Sequence, residues 1–200
     1  MSKYLFAVWL SIVSATASAE VIVVLGDSIS AGYGIEAGKN WVNLIEKKLE
    51  AEKFPHRVFN ESISGDTSAG GLARIDSALA RHKPQWLLLE LGANDGLRGL
   101  TPQQMKANLT EIVLRSQKAG AQVLLLGMRL PPNYGKRYID MFYNIYPALA
   151  KEFNLSFVPF ILEDVALDKA LMQSDRLHPN TAAQPIIAEK IWGYLRPLLK

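Results

Sequence analysis

The chain has no cysteine among its 200 residues, which removes disulfides, cysteine nucleophiles and cysteine-ligated zinc together. Histidine is nearly as scarce. There are three, His56, His82 and His178, so the source of any imidazole chemistry can be found by elimination. Basic residues do not run together: the formal charge is +3, but only pairs such as Lys47-Lys48 and Lys136-Arg137 occur, and the clustered footprint of a nucleic-acid binder is missing. No apolar run is long enough for a stable span, since Tyr4 to Val13 falls short of the roughly 20 residues that cross a bilayer. No repeat, linker or shift in composition divides the chain, and its length suits one domain with a substantial core.

The first nineteen residues differ in kind from the rest. Lys3 supplies a positive start, Tyr4 to Val13 is mostly apolar, and Ala17-Ser18-Ala19 gives the small-x-small pattern that signal peptidase accepts. The expectation is a leader over 1–19, a single domain over 20–200, and export to the periplasm or medium if the source is bacterial.

What is present is an alternation of apolar runs and amphipathic stretches. Val21 to Leu25, Arg57 to Asn60, Trp86 to Leu91, Gln122 to Met128 and Ser156 to Phe160 read as strands, and the longer runs are continuous rather than alternating in polarity. Helical spacing marks Trp41 to Leu49, Leu72 to Leu79, Met105 to Val113 after the Thr101-Pro102 start, Tyr138 to about Phe153, and a last helix from about Thr181. Ser62 to Gly71, Gly92 to Gly96, Leu130 to Gly135 and Glu163 to Pro179 read as loops. The predicted fold is a three-layer α/β/α sandwich with a mainly parallel central sheet.

In such a sheet the loops following the strands share one edge, where ligands bind. Those loops hold Ser28, Gly65, Asn94, Arg129 and Tyr134, and the last connection adds Asp175 and His178. A serine hydroxyl is a poor nucleophile without a base in hydrogen-bond reach. His56 and His82 precede strands and belong on the opposite edge, which leaves His178, with Asp175 three residues earlier to orient its ring. Backbone N–H groups of Ser28 and Gly65 and the Asn94 amide are candidates for meeting a developing oxyanion. Each has a plainer alternative: Asp27 or Ser28 as a helix cap, Gly65 and Asn94 as turn residues, and Asp175 to Asn180 as the cap of the last helix.

The blocks Gly26-Asp27-Ser28-Ile29-Ser30, Ser64-Gly65-Asp66-Thr67, Gly92-Ala93-Asn94-Asp95 and Asp175-Arg176-Leu177-His178-Pro179-Asn180, in that order, make the sequence resemble the SGNH (GDSL) hydrolases. Most closely it resembles their exported bacterial thioesterase, lysophospholipase and arylesterase branch. The resemblance implies Ser28 as nucleophile, His178 as base, Asp175 as its partner, an oxyanion hole of Ser28, Gly65 and Asn94, and neither metal nor cofactor. It implies a small-molecule acyl ester or thioester substrate and a monomer. The loop from Arg129 to Tyr134 is similar to a mobile segment covering bound acyl chains in relatives. Ala93 and the pair Arg176-Leu177 depart from the pattern, and Arg176 stands beside the expected base.

Leu97, Met128, Leu130, Pro131, Tyr134 and Phe142 are the expected walls of an apolar groove, with Leu100, Met141 and Tyr146 as further candidates. Three other readings remain at this stage. A carbohydrate acetylesterase uses the same constellation with a polar pocket. A metal-dependent phosphoesterase would draw on Asp27, Asn94 and His178, although such sites usually need several histidines. An exported lipid-binding protein rests on the apolar loops alone.

Overall fold

The apolar run Val21 to Leu25 becomes the centre of β1 (Glu20–Gly26), and its residues from Ile22 to Leu25 have no solvent exposure. Such a run suits a strand covered on both faces. The computed structural model describes residues 20–199; the expected leader lies outside them. Four further strands complete the sheet: β2 (His56–Asn60), β3 (Trp86–Glu90), β4 (Gln122–Leu126) and β5 (Ser156–Val158). The order is β2-β1-β3-β4-β5 and every pairing is parallel.

The helices are α1 (Ser28–Ala31), α2 (Trp41–Ala51), α3 (Ser68–His82), α4 (Ala93–Leu97), α5 (Pro102–Lys118), α6 (Lys136–Tyr143), α7 (Ile145–Glu152) and α8 (Gln184–Leu195). On one side α2 packs against α8; on the other α3 packs against α5, with α7 beside α5 and over β4 and β5. This is the expected α/β/α sandwich. The chain runs from β1 outward to β2 and then crosses to β3 on the other flank, so a crevice opens beyond the carboxyl ends of β1 and β3.

Some boundaries differ from the sequence reading. The stretch Ser68 to Gly71 is helical rather than loop: Thr67 caps α3 by accepting from the Gly70 N–H at 3.3 Å, and Gly71 lets α3 approach so closely that a Cβ there would sit 2.2 Å from Leu91 Cδ1. The single helix expected from Tyr138 to Phe153 is two, broken at Asn144, because the Pro147 ring has no N–H and clashes with the carbonyl four residues back. Gly92 to Gly96, expected as loop, mostly winds into α4. The strands β4 and β5 end two residues earlier than expected, at Leu126 and Val158.

Candidate active site

Ser28 follows β1 at the start of α1. Asp27 caps that short helix by accepting from the Ile29 N–H at 3.0 Å, and Gly32, at φ 78°, ends it. The cap alternative for Asp27 therefore holds, without exhausting what the residue does. Ser28 is 8 % exposed and its Oγ lies 2.8 Å from His178 Nε2. On the other side of the imidazole, Nδ1 is 2.7 Å from Asp175 Oδ2. A carboxylate only accepts, so Nδ1 carries the hydrogen and Nε2 presents its lone pair to the serine.

Asp175 is itself held by backbone donors, its Oδ1 accepting from Leu177 N–H at 2.9 Å and His178 N–H at 3.0 Å. Partial burial pushes its pKa up, but the hydrogen bonds from the His178 ring and from these two amides outweigh it and hold the carboxyl down at about 2. The loop carrying this pair is clamped. Met172 and Pro179 form an antiparallel bridge, Gln173 N–H donates to His178 O at 2.8 Å, and Gln173 Nε2 donates to Tyr33 O at 2.8 Å. The Tyr33 ring packs against His178 with centroids 4.6 Å apart. Asn180 caps the turn before α8, as its plainer reading anticipated, by accepting from Ala182 N–H at 2.9 Å.

Two more loops reach the same place. After β2, Gly65 adopts φ 80°, a left-handed conformation that glycine accepts freely, and Arg98 Nη2 donates to its carbonyl at 2.5 Å. Arg74 on α3 braces this loop by donating to Asp66, to the Glu61 carbonyl and to the Gly26 carbonyl. After β3, Gly92 turns the chain at φ 115° into α4, bringing Asn94 beside Asp27. The Ser28 and Gly65 N–H groups have no acceptor among the described residues. Asn94 differs: its Nδ2 donates to Asp27 Oδ2 at 3.0 Å and to the Asp66 carbonyl at 2.9 Å, so both its hydrogens are engaged at rest.

The other two histidines stand apart from this cluster. His56 opens β2 with its Nε2 2.7 Å from the Glu20 carboxylate, and His82 ends α3, stacked on Phe59 and paired with Glu61.

A cavity of about 510 Å³ opens from Ser28 and His178. Among the expected walls, Leu97, Met128, Leu130 and Pro131 line it. Tyr134 and Phe142 do not. Tyr134 sits in the turn after Pro131, stacks on Tyr138 and faces a separate shallow depression shared with Met141. Phe142 is 3 % exposed because α6 turns it into the core beneath Tyr138. Tyr146 is also core, its hydroxyl donating to Leu91 O at 2.9 Å, and Leu100 lies outside the cavity. The remaining apolar wall comes from residues that carry no local motif: Phe160, Leu162, Leu167, Met172 and Leu177. Sequence reading also missed Tyr33 and Glu90. The second left a signal, a lone acid ending an otherwise apolar strand.

The model of the GDSL-like lipase/acylhydrolase family matches residues 24–185. The chain belongs to that family. It is 49 % identical over 183 residues to Esterase TesA of Pseudomonas aeruginosa, covering 92 % of this chain and 91 % of the relative. It is 47 % identical over 183 residues to the Escherichia coli protein named Thioesterase 1/protease 1/lysophospholipase L1, covering 92 % and 86 %. The crystal structure of the psychrotrophic esterase EstA from Pseudoalteromonas sp., inhibited by monoethylphosphonate, superposes with a TM-score of 0.86 at 41 % identity, covering 90 % of this chain and 98 % of EstA. As a member of the GDSL family the chain is an ester hydrolase with the family's α/β sandwich.

Proposed function

We propose that the protein is an exported serine hydrolase that cleaves carboxylic esters and thioesters bearing an apolar acyl or aryl group, through an acyl-enzyme on Ser28. The observation that carries this reading is the unbroken run of hydrogen bonds from Ser28 Oγ through His178 to Asp175, at the mouth of a cavity walled by aliphatic side chains. As Ser28 Oγ attacks the acyl carbon, His178 Nε2 takes its proton, and the carboxylate of Asp175 stabilises the imidazolium without itself being protonated. The new oxyanion meets the free N–H groups of Ser28 and Gly65 and one N–H of Asn94. His178 returns the proton to the departing alkoxide or thiolate. Water then attacks the acyl-enzyme by the same route in reverse.

The names of the two curated relatives, an esterase and a thioesterase with lysophospholipase activity, support both leaving-group classes. The aliphatic part of the cavity wall supports chains longer than acetate over the acetylesterase reading. Among the described residues no helix is long and apolar enough to cross a membrane; the leader pattern of residues 1–19 carries the proposal of export, with a monomeric mature chain starting near Glu20.

The test is a panel of p-nitrophenyl esters from acetate to long acyl chains, with acyl-CoA and lysophospholipid, on the mature protein and on Ser28→Ala. The expected result is turnover that extends beyond acetate, loss of nearly all activity in Ser28→Ala, and a phosphonate adduct located on Ser28 by mass spectrometry. Activity confined to acetate would favour a carbohydrate acetylesterase. Chain binding without hydrolysis would favour a lipid carrier.

A further inference from the structure

All five residues of β3 are buried, and four are apolar. The fifth, Glu90, is wholly buried at the end of the strand nearest Ser28, paired in register with Gly26. Its Oε2 accepts from Ser30 Oγ at 2.7 Å and from Asp27 N–H at 3.2 Å, while Oε1 is buried with no donor. The neighbouring Asp27 is 1 % exposed, and its own N–H donates to that same Glu90 Oε2, so two buried carboxyl groups lie side by side.

Two ionised carboxylates buried side by side repel each other, so this arrangement favours a proton on one of them. Asp27 already has a donor on each oxygen: Ile29 N–H to Oδ1 and Asn94 Nδ2 to Oδ2. Glu90 Oε1 has none, so a proton placed there displaces no existing donor. The proton belongs on Glu90.

Asp27 as an anion has a consequence for Asn94. An asparagine side chain has an accepting end and a donating end of nearly equal shape. A carboxylate accepts only, so it fixes the amide with Nδ2 toward the site and Oδ1 away. With Asp27 neutral, the amide is held in that sense only by the Asp66 carbonyl, the very bond an oxyanion must draw away.

We infer that Glu90 and Asp27 form a one-proton pair that positions Asn94. Neutral Glu90 donates to Asp27, and anionic Asp27 holds one Nδ2–H. The other Nδ2–H, which rests on the Asp66 carbonyl, turns to the oxyanion, because an alkoxide is a far stronger acceptor than a peptide oxygen. Glu90 and Asp27 are positioning residues under this assignment, which rests on Asn94 being an oxyanion donor as proposed above. The surroundings favour one shared proton. Burial raises Asp27 to about 6 and Glu90 well above the usual carboxylate range. The other titratable groups facing the pair are Asp66 after β2, His178 and Tyr146 on α7, the last also near Asp95 on α4. Arg74, the nearby guanidinium, is taken up by Asp66.

The experiment compares Glu90→Gln, Glu90→Leu and Asn94→Ala by steady-state kinetics on p-nitrophenyl butyrate, with infrared spectra of the unliganded proteins. A glutamine mimics the protonated acid, donating to Asp27 and accepting from Ser30, so Glu90→Gln should keep kcat within about threefold of the parent. Glu90→Leu removes the donor to Asp27 and should lower kcat by about 10²-fold with KM little changed, as expected of misplacement rather than lost binding. The parent should show a protonated carboxyl C=O band at neutral pH that Glu90→Gln lacks.

If Glu90→Gln is as damaging as Glu90→Leu, or the band is missing, the one-proton pair is wrong. Should Glu90→Leu fail to fold, Glu90→Gln and the band still decide. If Asn94→Ala retains full kcat, the reading of Asn94 as a donor fails, and the band shows separately whether the pair exists.

Discussion

The buried carboxyl pair should make this enzyme less stable as the pH rises, against the usual trend for proteins whose acids are salt-bridged. A group that holds its proton more tightly when folded than when unfolded stabilises the folded state at low pH and loses that contribution as pH rises through its folded pKa. Asp27 moves from an ordinary 3.8 to about 6, so its share disappears between those values and amounts to about 3 kcal/mol at 1.36 kcal/mol per unit. Glu90 is raised further still and continues the decline above pH 6.

For a domain of this size about 3 kcal/mol corresponds to roughly 10 °C in melting temperature. Thermal melts followed by circular dichroism at pH 4, 5, 6 and 8 should therefore show a fall, with the Asp27 share of it complete by about pH 6 and the remainder due to Glu90. Glu90→Gln, which has no proton to lose, should fall less and be the more stable of the two at pH 8. Equal melting temperatures across this range, or a Glu90→Gln variant that falls as steeply as its parent, would refute the claim that two acids share this interior space.

Asn94→Ala should lower kcat by roughly 10²–10³ with KM little affected, measured on the same esters; an effect confined to KM would assign Asn94 to substrate positioning instead. Asp175→Asn should lower kcat by up to about 10⁴ while leaving the fold intact, because the amide favours the wrong tautomer of His178. Asp175 is also held near pKa 2, so it contributes stability above pH 4 that is lost as the pH falls toward 2; being largely exposed, it should contribute only about 1 kcal/mol in acid melts. Gly92→Ala should destabilise by about 3 kcal/mol or more, since a Cβ there would lie 2.3 Å from Met105 Cε at a φ of 115°. Melting temperature and kcat should fall together, because Asn94 is two residues away.

Much of the architecture was legible because buried parallel strands leave a simple mark. Val21 to Leu25 and Trp86 to Leu91 have no polar face, and β-branched or short apolar runs of that length suit a doubly covered sheet. The grouping of Ser28, Gly65, Asn94, Asp175 and His178 was legible for the same reason, since every strand exit shares an edge. The missed features depend on contacts distant in sequence. Nothing near Gly71 announces that Leu91 will press against it and favour helix over loop. Phe142 and Leu162 are both apolar residues near loops, and only the turn of α6 sends the first to the core while the second lines the cavity. Glu90 stood out in its strand, but its meaning required seeing Asp27 beside it.

His178 and Leu177 are neighbours on one loop that the Met172–Pro179 bridge pins at its ends. Under the proposed mechanism the proton acceptor and part of the acyl wall therefore share one clamped loop. A chain too bulky for the cavity would shift Leu177 and carry the imidazole away from the serine, so a poor fit should slow turnover even when the ligand binds well. Selectivity in this enzyme is then exercised at the reacting bond, and inhibitors chosen for tight binding alone would misreport which esters it processes.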